Sequence, residues 1–308
     1  MTQSESSAAV AAGETGGTGT ADAGAGAGDQ TRQGTYLVAG ATGTVGREVV
    51  RALLARGHRV RALTRDPARA DLPAGAEVVR GDLTDPDGPD GLADALRGVV
   101  GVHLITFGGE YEPLATGARI VELVRAAGVR RVTVLHGGGP TPLEEAVRAA
   151  PDLEWTVLMP VEFMANALQW AESVRATGEV RAGFVDGLSA MVHESDIGEA
   201  AAVALTEDGH AGREYLLTGP QSLTVHAKVA ALAAGLGREV RLVALDDEQA
   251  ADVWRAEGRD EETVAWLVDV FRNTPPEGST VNDTVPRLTG RPARTFEDWA
   301  RDHAAAFG

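Results

Sequence analysis

The stretch YLVAGATGTVGREVVRALLARGHRVRALTRDP, residues 36–67, decides the fold. In it, an apolar run is followed by a glycine-rich turn, a helix-period segment, a second apolar run and an arginine. The helix-period segment, 45–56, places Val45, Val49 and Leu53 on one face, as a helix packed on a sheet requires. The stretch therefore predicts a βαβ unit, in which two parallel strands are joined by a crossover helix.

The same alternation continues along the chain. Apolar runs predict strands, and helix-period segments lie between them: strands at 36–39, 59–63, 77–79, 100–105, 131–135 and 155–158, and helices at 45–56, 89–97, 113–127 and 142–150. Strands that alternate with helices predict an α/β fold with a doubly wound parallel sheet. We expect this Rossmann domain to cover 34–160.

Beyond the last of these strands the pattern becomes mostly helical. VEFMANALQWAESVRATG is predicted to form a helix, and REYLLTG a short strand. Asp196 is the expected N-cap of a further helix, and another is expected to begin at Thr224. We expect 161–308 to form a smaller, mostly helical substrate subdomain, with some segments returning to the core.

The N-terminal tail and the overall composition limit the possible partners. Residues 1–33 have almost no large apolar side chains to offset their ordering entropy, so we expect disorder there. A net charge of −17 argues against nucleic-acid binding, and no apolar run approaches the ~20 residues that span a membrane. The absence of cysteine suits a cytoplasmic protein. Either a monomer or a homodimer is compatible with the sequence.

The glycine turn between the first strand and the first helix predicts a dinucleotide site. Gly40 allows a tight exit from the strand, Gly43 lets backbone N–H groups approach a pyrophosphate, and Gly46 lets the helix pack closely. The helix N-terminus adds partial positive charge. The alternative is a tight turn that binds nothing.

The end of the second strand indicates which dinucleotide is bound. An NAD site usually has a carboxylate there, whereas this chain has Thr64 and Arg65. An arginine can pair with a 2′-phosphate, which favours NADP(H). The alternative is an exposed arginine on a surface turn. We expect Asp66 to point away or to cap the turn before Pro67.

The third strand is followed by Asp82 and Leu83. A chain leaving this strand can line an adenine pocket, in which Asp82 would accept a hydrogen bond from the exocyclic amine. A helix cap or a plain turn is the alternative role of Asp82.

Four blocks of sequence resemble the NmrA-like atypical short-chain dehydrogenase/reductases: VAGATGTVGREVVRALLARGHRVRALTRDP, VVRGDLTDP, EEAVRAAPDLEWTVLMPVEFMANALQW and DIGEAAAVALTEDGHAGREYLLTGPQSLT. That family includes quinone reductases, isoflavone-reductase relatives and a redox-sensing regulator. The resemblance covers roughly 35–290. It implies NADP(H) contacts at Gly40, Thr42, Gly43, Thr44, Val45, Gly46, Thr64, Arg65, Asp82, Leu83, Thr106, Phe107, Gly108, Gly137 and Pro160.

The proton donor of the wider superfamily is missing. Its classical members use a Tyr-x-x-x-Lys pair, in which the lysine lowers the pKa of the tyrosine. Lys228 is the only lysine of this chain, and no tyrosine precedes it by four residues. The chain also departs from the family at Met159, where arginine is common, and at the three glycines after His136.

His136 is the candidate catalytic residue. It stands at the carboxyl end of the fifth predicted strand, where parallel sheets bind their ligands. An imidazole there can supply the proton that accompanies hydride transfer to a quinone or an enone, and water is the other source. The alternative is a histidine that is hydrogen-bonded into its loop.

The segment after Pro160 predicts a substrate pocket, and no metal site is indicated. The candidate pocket residues are Phe163, Met164, Asn166, Trp170 and His193. Apolar bulk with an amide suits a flat or apolar, polyketide-like small molecule. The same side chains could instead belong to the core, and His193 could serve the helix that it precedes.

Three functions are compatible with these features. The first is an NADPH-dependent reductase of a quinone, an enone or a polyketide-like molecule of secondary metabolism. The second is a non-catalytic regulator that senses NAD(P), for which the acidic stretch 246–263 is a candidate partner surface. The third is a non-redox cyclase, isomerase or lyase on the same fold.

Overall fold

A computed structural model describes residues 33–108, 112–256 and 258–308, so nearly all of the expected disordered tail lies outside the described residues. The strands are β1 (Thr35–Val38), β2 (Arg59–Thr64), β3 (Glu77–Arg80), β4 (Gly101–Ile105), β5 (Arg131–Leu135), β6 (Glu154–Pro160), β7 (Glu179–Ala182), β8 (Arg213–Leu217) and β9 (Arg241–Ala244). The helices are α1 (Thr44–Ala55), α2 (Leu92–Ala95), α3 (Gly117–Ala126), α4 (Pro142–Arg148), α5 (Ala171–Thr177), α6 (Glu194–Thr206), α7 (Val225–Leu236), α8 (Asp247–Ala256), α9 (Glu261–Arg272), α10 (Pro276–Ser279), α11 (Thr284–Thr289), α12 (Phe296–Asp302) and α13 (Ala304–Phe307).

Seven strands form one parallel sheet in the order β3-β2-β1-β4-β5-β6-β8. β1 is the third strand, next to the central strand β4, with Val38 opposite Ala62 of β2 and His103 of β4. The chain winds outward from β1 in one direction through β2 and β3, and in the other through β4, β5 and β6. This order and the flanking helices confirm the predicted doubly wound α/β fold.

Two predicted helices are shorter in the structure. The helix expected at 113–127 begins only at α3, because the chain just before it pairs with the end of β4, with Leu114 N–H donating to the Thr106 carbonyl. The helix expected at 89–97 is limited to α2, because Leu92 N–H bonds back to the Pro86 carbonyl in a preceding turn.

The C-terminal half contains features that the sequence did not predict. β7 and β9 form a separate two-stranded parallel sheet. The segment Met164–Trp170 is a 3₁₀ helix rather than the start of an α-helix. Asp196 is not the N-cap of α6: the cap is His193, which accepts a hydrogen bond from Ser195 N–H, while Asp196 lies inside the helix and pairs with Arg294.

Three apolar clusters hold these layers together. One face of the sheet packs on α3 and α4 through residues such as Ile120 and Leu143. The other face packs on α1 and α6, which approach closely because a Cβ on Gly198 would lie 2.6 Å from the Glu48 backbone. A third cluster, around Trp299, joins α5, α7 and α12.

His103, in the middle of β4, makes stability depend on pH. It is fully buried, its Nδ1 contacts Thr133 Oγ1 at 2.9 Å, and its Nε2 has no partner among the described residues. Burial lowers the pKa of His103 to about 4 from 6.5. As the pH falls, His103 binds a proton in the unfolded chain before it does so in the folded protein. The contribution of neutral His103 to the free energy of unfolding is therefore fully present above pH 6.5 and falls by roughly 1.4 kcal/mol per pH unit between 6.5 and 4.

Urea denaturation at a series of pH values measures this slope. His103→Leu should flatten the wild-type decline between pH 6.5 and 4, because a leucine at this site binds no proton in either state. Equal slopes for wild type and variant would show that other groups cause the decline.

Candidate functional site

The N-terminus of α1 lacks a capping side chain. Its N-cap is Gly43, and its first turn contains no acidic residue. By contrast, α4 and α12 are capped by Thr141 and Thr295. The N–H groups at the start of α1 therefore have no side-chain acceptor, and the helix dipole favours an anion at this position.

Gly40 and Gly46 meet where β1 turns into α1. Gly40 has a φ of +62°, in the left-handed region that favours glycine. A Cβ on Gly46 would lie only 2.1 Å from the Gly40 carbonyl oxygen, so a side chain would push the helix off the strand. This is the tight geometry that the sequence predicted for the two glycines. It brings the start of α1 close to the carboxyl end of β1.

A cavity of about 420 Å³ lies at the carboxyl ends of β1 to β4. Its volume is typical of a small-molecule site. Eight predicted cofactor residues line it: Gly40, Thr42, Thr64, Arg65, Asp82, Leu83, Phe107 and Gly108. The lining also includes Leu63, Asp66, Arg69, Gly81, Thr84 and Ile105. The other predicted cofactor residues lie outside this lining: Gly43, Thr44, Val45, Gly46, Thr106, Gly137 and Pro160.

Two arginines line the cavity beside the end of β2. Arg65 and Arg69 are exposed, and neither guanidinium group has a hydrogen bond or an ion pair within the described ranges. Most other described arginines are paired with a carboxylate, as Arg61 is with Glu77. Two unpaired guanidinium groups at one cavity wall can bind a dianion such as a phosphate.

Asp66, between these arginines in sequence, is also part of the cavity lining, so the expectation that its side chain points away stays a prediction. Its side chain makes no capping hydrogen bond to the turn that follows, and its N–H donates to Thr64 Oγ1 at 3.2 Å. A carboxylate here opposes part of the attraction of the two guanidinium groups for an anion.

Asp82 lines the cavity and also stabilises a turn. Its Oδ1 accepts hydrogen bonds from the N–H and the hydroxyl of Thr84, both at 2.8 Å. The turn role that the sequence left open is therefore present in the structure. Its second carboxylate oxygen has no partner in the described part of the chain, so an adenine contact by Asp82 stays a prediction.

The ends of β4 and β5 are in direct contact through Phe107 and Gly137. The Phe107 ring lies so close to the Gly137 backbone that a Cβ there would be 1.7 Å from the ring. Thr106 is buried and donates to the Leu135 carbonyl at 3.3 Å, so its hydroxyl joins the two strand ends. Phe107 therefore contacts both the cavity and the backbone that follows β5.

His136 forms a pair with Glu144 directly after β5. Its Nδ1 lies 2.6 Å from Glu144 Oε1, and the two side chains are 18% and 0% exposed. Glu144 is also the third residue of α4 and accepts from the N–H and hydroxyl of Thr141 through Oε2. A buried carboxylate with both oxygens engaged holds the imidazole with Nδ1–H as the donor, which leaves Nε2 for a ligand.

The predicted substrate residues do not all face one pocket. Met164 is buried in the third apolar cluster, and Trp170 packs edge-on against Phe296 at 6.5 Å. His193 is buried as the cap of α6. Their contacts match the structural alternatives that the sequence left open. Asn166 is exposed, and Phe163 is partly buried against the sheet, so these two remain the accessible candidates.

Sequence reasoning missed Arg69 and the partnership of Glu144. A second arginine in TRDPAR was a readable signal for Arg69, because a short turn at 67–69 returns it to the side of Arg65. No feature of the sequence pointed to Glu144 as the partner of His136. Its bond to His136 spans eight residues across a glycine loop, and no local pattern predicts such a contact.

Neither a membrane-spanning helix nor a metal-binding cluster is present in the described ranges. No described helix is long and apolar enough to cross a bilayer. The same residues contain no cluster of three or more His, Asp or Glu side chains that could hold a metal ion.

Comparison with known proteins identifies relatives along most of the chain. The profile of an NAD(P)H-binding family matches residues 40–142. An NAD(P)H azoreductase of Xenophilus azovorans is 36% identical over 88% of this chain and 99% of its own length. A (4-alkanoyl-5-oxo-2,5-dihydrofuran-3-yl)methyl phosphate reductase of Streptomyces griseus is 37% identical over 88% and 98%.

A solved structure shows the same fold. The NADPH complex of a quinone oxidoreductase from Escherichia coli superposes with a TM-score of 0.70 at 24% identity, covering 87% of this chain and 99% of that one. The glycine turn, the sheet order and the relatives agree with the four blocks described above. The chain belongs to the NAD(P)H-binding, NmrA-like atypical short-chain dehydrogenase/reductases, and it is an oxidoreductase of that family.

Proposed function

We propose that the protein is an NADPH-dependent reductase that transfers hydride to a quinone, an enone or a related polyketide-like molecule of secondary metabolism. The observation that carries this proposal is the His136–Glu144 pair at the end of β5. The pair lies directly after β5, the strand next to β4. Gly137, the residue after His136, contacts Phe107 of the cavity lining. A proton donor would thus stand next to the cofactor site.

The residues present fit NADPH. The uncapped start of α1 suits the pyrophosphate, and Arg65 with Arg69 suits the 2′-phosphate. When bound, NADPH supplies the hydride. Asp82 and Leu83 would line the adenine pocket. Phe107 and Gly137, at the ends of the middle strands, would flank the nicotinamide.

His136 would move the proton. Glu144 holds its Nδ1–H, so a protonated Nε2 can donate to the substrate oxygen that gains charge as the neighbouring conjugated carbon accepts hydride. The hydride carries both electrons to carbon, and the proton completes the reduction of the conjugated system. No tyrosine–lysine pair is needed, because quinones and enones already stabilise the added charge by conjugation.

The relatives support an electron-poor, unsaturated acceptor. One is named as a reductase of azo compounds, and the name of the other describes an unsaturated lactone with an alkanoyl group. Both are conjugated systems. We infer an acceptor of this electronic type for the present chain.

A direct assay tests this function. NADPH and NADH binding would be titrated by nucleotide fluorescence, and oxidation would then be followed by near-ultraviolet absorbance with quinones, enones and azo dyes. We expect NADPH to bind more tightly and at least one class of acceptor to be reduced. Tight NADPH binding without oxidation by any acceptor would refute the reductase, and failure to bind either nucleotide would favour a non-redox enzyme.

The two cavity arginines should determine the choice of nucleotide. Arg65→Ala and Arg69→Ala should each weaken NADPH binding about tenfold or more, since each removes a charge-assisted contact, and should change NADH binding less than about threefold. Asp66→Asn is the control of opposite sign, because it removes a carboxylate from the same wall and should strengthen NADPH binding. Equal losses for both nucleotides would refute a 2′-phosphate role.

The regulator alternative needs a free partner surface, and four described carboxylates of the acidic stretch 246–263 are instead held in ion pairs. Arg255 binds Glu248, Asp252 and Glu261. Arg272 of α9 binds Asp247 of α8. These ion pairs fit a solvated helical hairpin better than an acidic docking face.

A further inference from the structure

Lys228 on α7, the only lysine of the chain, is buried and forms a polar triad with Glu162 and Ser189. Its side chain is 6% exposed, and Nζ donates to Glu162 Oε2 at 2.9 Å. The same carboxylate oxygen accepts from the Ser189 hydroxyl at 2.5 Å. The triad therefore joins three segments that are far apart in sequence: the loop after β6, the segment before α6, and α7.

An ion pair at this position is not explained by packing. α7 is otherwise mostly apolar, and Lys228 occupies its buried face together with Val229 and Leu232. Taking the Lys228 charge out of water is costly, and its pair with Glu162, whose side chain is 24% exposed, adds little net stability compared with apolar side chains of similar size. Its clearest physical effect is to fix the relative position of the segments that it joins.

The segment fixed by Glu162 is the loop 160–166. Its backbone is bonded to β8 and to the segment before α6, since Val161 N–H donates to the Leu217 carbonyl and Met164 N–H to the Val192 carbonyl. The Glu162 side chain supplies the connection to α7. The loop leaves the end of β6, and β6 is bonded to His136 through the Leu158 carbonyl.

We propose that Lys228 is a positioning residue that, through Glu162, holds the loop 160–166 at the nicotinamide end of the cofactor site. The proposal rests on the reductase function given above. In this role the lysine does not activate an acid. It fixes the position of the loop 160–166 beside the nicotinamide, from which hydride would be transferred. A misplacement of about 1 Å can cost such a reaction on the order of a hundredfold in rate.

The test combines a measurement without nucleotide and one with it. In the chain alone, Lys228→Met should raise amide hydrogen exchange at Val161 and Met164 about tenfold or more, because the loop loses its ion pair with α7 and keeps only the apolar contacts of Met164. With NADPH, the single-turnover rate of hydride transfer should fall ~10- to 100-fold, while the Kd for NADPH changes less than about threefold. Lys228→Arg should restore most of both properties.

Arg294→Met is the matched control. It removes one of the two arginine partners of Asp196, a buried carboxylate in the first turn of α6. It should raise exchange near Asp196 and leave the loop 160–166 and the hydride-transfer rate unchanged. If Lys228→Met raises exchange evenly over the molecule, or changes neither loop exchange nor rate, the positioning role is overturned.

Ser189→Ala keeps the test decisive if Lys228→Met does not fold. It removes only one donor to Glu162, so a smaller rise in exchange confined to the loop is expected, and no rise would overturn the proposal. Exchange is measured without nucleotide. The variants could show faster exchange in the loop while the wild type fails to oxidise NADPH. That combination would refute the reductase function but would leave the anchoring of the loop by Lys228 intact.

Discussion

Gly46→Ala should abolish tight NADPH binding and destabilise the protein. The added Cβ would lie 2.1 Å from the Gly40 carbonyl oxygen and 2.6 Å from its carbonyl carbon. Both are backbone atoms, so no side-chain rotation relieves the clash. We expect a loss of about 1–3 kcal/mol or more in the free energy of unfolding. The shift of α1 also moves the N–H groups that face the pyrophosphate.

Urea denaturation and a fluorescence titration with NADPH measure the two effects. Gly139→Ala is the control, because a Cβ there would have no neighbour within 4 Å and the position has no left-handed φ. It should stay within about 0.5 kcal/mol of wild type. A Gly46→Ala protein with wild-type stability and NADPH affinity would contradict the tight contact between β1 and α1.

His136→Asn should lower the rate of hydride transfer to a quinone or an enone about a hundredfold at neutral pH. A positioned acid or base contributes ~10²–10⁴ to a rate, and asparagine cannot donate the same proton. Nucleotide binding should change little, because His136 does not line the cavity. Stopped-flow measurement at saturating NADPH isolates this step.

Glu144 offers a second variant and a control for the same prediction. Glu144→Gln removes the charge beside Nδ1 and should lower the rate less than His136→Asn does. Glu145→Gln, on the exposed side of the same helix, should leave the rate unchanged. If His136→Asn keeps the wild-type rate, water supplies the proton and the pair serves only the loop.

The sequence predicted the central strands well because strands such as β1 and β4 are buried on both faces. An apolar, β-branched run such as RVTVL is typical of a covered parallel strand, and β5 has the predicted bounds, 131–135. The strands β7 and β9 were missed because they pair with each other, apart from the main sheet, and do not follow the strand–helix alternation of the first half of the chain.

The glycine turn and the cavity wall were predictable because their residues are close in sequence. The polar pairs were not. Glu162 and Lys228 are separated by 66 residues, and their contact depends on how α7 packs beside the loop after β6. Asp196 was misread for a related reason: it resembles an N-cap locally, yet Arg294 from the C-terminal segment binds it inside the helix.

The position of β8 has a consequence for synthesis of the protein. β8 pairs with β6 along Thr156–Pro160, yet it is translated well after that strand. While the ribosome adds the intervening residues, β6 has an unpaired edge that could join another nascent chain. The seven-stranded sheet can therefore be completed only after much of the C-terminal half has been translated, so we expect the two halves of the chain to fold together.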